Sequence, residues 1–119
     1  MTRIDTNYII RYLANDNEEM AAIAEEVIMY KNIYISNEVL AEVVYVLHGV
    51  YSYSREEISS VLLKLMAFDN IKTNDKPIVL KALEIYANKK LDFVDCLLCA
   101  YATIDEILTF DKKLMKCVG

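Results

Sequence analysis

Between Ser36 and Val50 the chain is apolar around most of a helical circumference. At helical spacing Val39, Val43, Val46 and Val50 fall on one stripe, and Leu40, Val44 and Leu47 on the next. Glu38, Glu42, Tyr45 and Gly49 share the remaining stripe, because residues three and four apart are neighbours on a helix. A helix this broadly apolar is expected to pack on two sides, against its own sheet and against a partner.

The segments around it alternate in period. Ile4 ends a very short apolar start, Asp5-Thr6-Asn7 follows as a polar turn, and residues 8–13 resume a helical pattern. Asn15-Asp16-Asn17 supplies a turn and an N-cap for a helix from Glu18 to Tyr30. Ile33-Tyr34-Ile35 and Ile71-Lys72-Thr73 read as short strands, and Glu106–Phe110 as another. Ser54-Arg55-Glu56-Glu57 has the form of a capping box. Asp75 and Pro77 open a helix through Ala87, and Asp92 to about Ala102 is a further helix. Asp111–Met115 is expected as a short turn or helix, and Cys117-Val118 as a last edge strand. Strands alternating with helices predict a single α/β domain over residues 1–119, with a parallel sheet and helices on both faces.

Composition matters where it limits the alternatives. With 55% apolar residues the chain has material for a core without staples. Its net charge of -5 counts against a nucleic-acid binder, unless the surplus acid is gathered where cations reverse the local field. No basic region followed by a clean apolar stretch opens the chain, and no apolar run is long enough to cross a membrane. Cys96, Cys99 and Cys117 are then expected as reduced thiols of a cytoplasmic protein.

The acids have a place in this topology. In open α/β sheets, functional groups collect beyond the carboxyl ends of the strands. Asp5 follows the first candidate strand and Asp111 the strand ending at Phe110, while Asp95 lies in the first turn of a helix, where the dipole favours negative charge. Glu42 stands on the polar stripe of an apolar helix, where an unpaired carboxylate is costly if buried. Meeting at one end of the sheet, the four would suit Mg²⁺ or Mn²⁺, which prefer oxygen ligands and activate water at a phosphodiester. Each also has a plainer reading. Asp5 and Asp111 suit helix caps, Asp92 with Asp95 a cap pair, and Glu42 a solvated stripe.

Four segments together resemble the PIN-domain family, specifically its VapC-type toxins. They are Ile4-Asp5-Thr6-Asn7, Ser36 through Glu42, Leu91 through Ala100, and Leu108-Thr109-Phe110-Asp111. The resemblance runs over essentially the whole chain. It implies a three-layer α/β sandwich with a central, mostly parallel sheet, and Mg²⁺- or Mn²⁺-dependent endoribonuclease activity. By position, Asp5, Glu42, Asp95 and Asp111 match the family's acids, and Thr6, Asn7 and Thr109 match small polar residues that orient them. Glu38, one turn before Glu42, is expected to support the site. The family further implies an RNA substrate, a homodimer and an antitoxin partner. The broad apolar helix over 38–50, with Tyr45, Tyr51 and Tyr53 nearby, is a candidate dimer surface, and plain core packing is the alternative for those tyrosines. This chain departs from the family in a short first strand carrying Arg3, and in a shortened segment between Asp95 and Asp111 without the usual glycine. An RNA-processing nuclease without a toxin role and a catalytically silent interaction module are the competing expectations.

Other motifs are weaker. Cys96 and Cys99 have half-site spacing for zinc with Cys117 and His48, but inside a helix they read better as buried core thiols. Lys112, Lys113 and Lys116 flank the fourth acid and Lys89-Lys90 precede the third, where they could meet phosphates or merely solvate a surface.

Overall fold

Three short strands, all parallel, form the centre of the molecule: β1 (Thr2–Arg3), β2 (Ile33–Tyr34) and β3 (Ile71–Lys72). The computed structural model describes residues 1–119. The strands lie in the order β1-β2-β3, with Thr2 opposite Ile33 and Ile33 opposite Ile71. Flanking bonds extend the ladder: Thr2 N–H donates to Asn32 O at 2.8 Å, and Ile35 N–H to Lys72 O at 2.9 Å. Ile4, Ile33, Ile35 and Ile71 are buried, so the strands are apolar runs covered by helices, as in parallel sheets generally.

Helices make up most of the α/β sandwich. α1 (Thr6–Ala14) and α2 (Glu18–Tyr30) connect β1 to β2, and α3 (Asn37–Gly49) and α4 (Arg55–Met66) connect β2 to β3. α5 (Lys76–Asn88), α6 (Phe93–Tyr101) and α7 (Lys112–Val118) complete the chain. Their starts are written locally. Asp5, Asn17, Ser36, Ser54, Asp92 and Asp111 each accept a backbone N–H at a helix N-cap, and Ser54 with Glu57 closes the expected capping box. α1 stops at Asn15, which takes the left-handed conformation that asparagine tolerates (φ 53°). α3 buries Leu40, Val43, Val44 and Leu47, whereas Tyr45 is 80% exposed. The Arg55 guanidinium stacks 4.2 Å from the Tyr86 ring and donates to Tyr86 O and Lys89 O, which ties α4 to the end of α5.

Three expectations change at the C-terminal end. Residues 106–110 form no strand: none of their backbone groups takes part in a backbone–backbone hydrogen bond, and Phe110 is 100% exposed. Both ends of that segment are committed to α6 instead. Ile104 and Asp105 N–H fold back on Tyr101 O, and α7 packs against α6 on the other side. Cys117-Val118 is the last turn of α7 rather than an edge strand, with Gly119 N–H donating to Met115 O at 3.0 Å. Finally, only Cys96 remains a free, buried thiol. Cys99 and Cys117 form a disulfide, because the α6–α7 packing brings their Cα atoms to 5.7 Å, inside bridging range. Burial pushes the Cys96 thiol up to about 11, which leaves it protonated and unreactive.

Candidate acidic site

Each of the four acids is held by its own element. Asp5 leaves β1 and caps α1, its Oδ1 accepting Tyr8 N–H at 3.0 Å. Glu42 stands exposed on α3, and its Oε2 accepts a 2.9 Å hydrogen bond from Thr6 Oγ1. That bond links the residue following Asp5 to the middle of α3. Asp111 caps α7 through Leu114 N–H at 2.9 Å, while its own N–H donates to Thr109 Oγ1 at 3.0 Å. Thr109 therefore fixes the backbone of Asp111 rather than its carboxylate.

Asp95 is the most enclosed of the four and sits in the first turn of α6. Its N–H donates to Asp92 Oδ1 at 2.9 Å, so Asp92 is a helix cap. Burial holds the Asp95 carboxyl above the usual range, and the nearby charges of Asp92 and Asp111 push it in the same direction. The third and fourth acids thus share one patch of negative potential, although they come from different helices. Like charges brought together in this way favour a bound cation or proton.

Direct links join Thr6 to Glu42, and Asp95 to Asp92 and Asp111. No three Asp, Glu, His or Cys side chains converge tightly enough to enclose an ion between them. A caged metal such as structural zinc does not fit this arrangement. A hydrated hard cation does, since Mg²⁺ is commonly held by one or two carboxylates and keeps several waters. All the donors are oxygens, which is the chemistry such an ion requires.

The supporting residues divide. Thr6 reaches Glu42 as expected. Asn7 lines a cavity between α1 and α2 with Tyr8, Arg11, Met20, Ile23 and Ala24. Glu38 is exposed in the first turn of α3, and no hydrogen bond joins it to the four acids. Sequence reading missed a polar group beyond β2 and β3. Tyr101 Oη donates to Asp75 Oδ2 at 2.6 Å, and the buried Asn37 Oδ1 has no hydrogen-bond partner. The available signal was position, since Asn37 and Asp75 both follow the carboxyl ends of strands.

The family model of the PIN domain matches residues 3–117. The chain belongs to the PIN-domain family. All four acids of this PIN domain fall within the matched span. Similarity extends to the VapC ribonuclease of Aquifex aeolicus (strain VF5), 26% identical over 123 aligned residues that cover 98% of this chain and 91% of that protein. No solved structure matches this PIN domain. No helix of the chain is long and apolar enough to cross a membrane.

Proposed function

We propose that this PIN-domain protein is a Mg²⁺- or Mn²⁺-dependent endoribonuclease and the toxin of a toxin–antitoxin pair. The observation that carries the reading is the crowding of Asp95 with Asp92 and Asp111 at the N-terminus of α6, in a chain similar to a VapC ribonuclease along nearly its whole length. Asp5, Glu42, Asp95 and Asp111 would hold the cation, partly through its waters. The cation would supply an activated water and charge neutralisation at the phosphodiester. The protein's own part is to aim the carboxylates. Asp92 fixes the first turn of α6, Thr6 holds Glu42, and Thr109 fixes the turn at Asp111. Cleavage at the phosphodiester would leave a 5′-phosphate and a 3′-hydroxyl.

The partners follow from the same reading. Tyr45 on α3 and Val94 on α6 are exposed apolar residues that line one cavity, a surface suited to a second copy or to an antitoxin segment. The protein would act in the cytoplasm, where its RNA substrate lies and where the Cys99–Cys117 bond is subject to reduction.

The test is cleavage of a labelled pool of structured RNAs by the purified chain with Mg²⁺ or Mn²⁺, with chelator, and with folded Asp5→Asn and Asp95→Asn variants. Metal-dependent cuts lost in both variants support the reading. Metal binding without any cut, or cutting that survives both substitutions, overturns it.

A further inference from the structure

Two lysine pairs that are distant in sequence meet on one surface. Lys89 and Lys90 follow the end of α5, and Lys113 and Lys116 lie on α7. All four are exposed, and together with Leu91 and Cys117 they line a cavity of about 180 Å³. None makes an ion pair; the chain's salt bridge is elsewhere, between Arg11 and Asp16 at 3.0 Å. Four like charges thus converge, without an ion pair among them, in a protein whose net charge is -5.

Helix electrostatics account for part of this cluster. Lys89 and Lys90 sit just beyond a helix C-terminus and Lys116 lies in the last turn of α7, where cations are favoured. Lys113 is in the first turn of α7, where the dipole opposes a cation. Helix electrostatics therefore do not account for Lys113. The cluster also borders the acids: Leu91 alone separates Lys90 from Asp92, and Lys113 is two residues beyond Asp111.

We infer that Lys89, Lys90, Lys113 and Lys116 form a binding site for the phosphodiester backbone of RNA, which leads the strand onto the acidic site. The inference deepens the ribonuclease reading and rests on it for the identity of the polyanion. The lysines supply affinity through counterion release, whereas the acids need a cation before they can approach a phosphate. Their convergence depends on the α6–α7 packing that the Cys99–Cys117 bond secures.

The experiment measures binding of a short fluorescein-labelled oligouridylate to the full chain in chelator, as a function of KCl, alongside metal-dependent cleavage of the RNA pool. Each single-strand phosphate contact contributes a slope of about -0.7 to log affinity against log salt. Lys113→Gln with Lys116→Gln is expected to reduce the slope by about 1.4, and Lys89→Gln with Lys90→Gln by a similar amount. Lys64→Gln, on α4, is expected to leave it unchanged. Slopes equal to wild type in both double variants overturn the site even if the wild-type protein cuts RNA. Equal binding of phosphatidylserine vesicles and no binding of oligouridylate overturn it in favour of a membrane surface. Lysine-dependent RNA binding by a protein that cuts nothing supports the site and refutes the nuclease instead.

Discussion

Thr6 Oγ1 lies 2.9 Å from Glu42 Oε2, a hydrogen bond that crosses from the first turn of α1 to the middle of α3. The carboxylate it restrains is otherwise exposed and free to turn. Removing the hydroxyl therefore releases Glu42 without emptying any core.

Thr6→Val is expected to lower the rate of metal-dependent RNA cleavage by about tenfold, the low end of the effect of removing a partner that orients a metal ligand. Thr6→Ser, which keeps the donor, is expected to retain most of the rate. The thermal midpoint should fall by no more than about 5 °C, since a solvent-exposed hydrogen bond contributes about 1 kcal/mol or less. An unchanged rate in Thr6→Val would remove Glu42 orientation from the mechanism.

The environment of Asp95 predicts a pH dependence. Burial, Asp92 and Asp111 raise its carboxyl above the ordinary aspartate range. A folded state that holds this proton more tightly than the unfolded chain gains stability at pH below the unfolded value and loses it as pH rises through the folded value. In chelator, wild type and Asp95→Asn should unfold alike in acid, where Asp95 is protonated, and the variant should melt higher at neutral pH. Thermal scans across that range decide it: a wild type that melts higher than the variant at neutral pH contradicts the crowding.

Cys99 and Cys117 are 18 residues apart, and closing a loop of that length stabilises a fold by about 3 kcal/mol through the unfolded state. Cys99→Ser with Cys117→Ser is expected to lower urea-unfolding stability by roughly that amount. Amide exchange should quicken first in α7, which packs mainly on α6 and buries only Leu114. Equal stability under oxidising conditions would mean that the packing of α7 suffices without the bond.

Phe110 projects fully into solvent. Phe110→Ser is therefore expected to change unfolding stability by less than about 0.5 kcal/mol. A loss of several times that size would show the segment packed against the sheet.

That segment marks where sequence reading stops. The Ser54–Glu57 box, the Asp92 cap and the buried face of α3 are local consequences of side-chain type and helical spacing, and all three are legible in the chain. Leu108 and Phe110 carry the pattern of a half-buried strand, but pattern reports a capacity for burial and not whether a sheet edge is reached. The same limit applied to the cysteines: spacing shows Cys96 and Cys99 on one helix, yet only the docking of α7 brings Cys117 to Cys99. For the site, candidate acids could be chosen by their positions after strands and at helix starts. The Thr6–Glu42 bond and the meeting of the lysine pairs could not, because they join residues far apart in sequence through helix packing.

The bond between Cys99 and Cys117 makes a covalent ring of the stretch that holds the exposed Leu108 and Phe110 together with Asp111. A protease that nicks this bare stretch would leave the molecule in one piece, with α7 and its lysines still attached to α6. Only a reductant would then free them, so peptide cleavage and loss of function would be separate events in this protein.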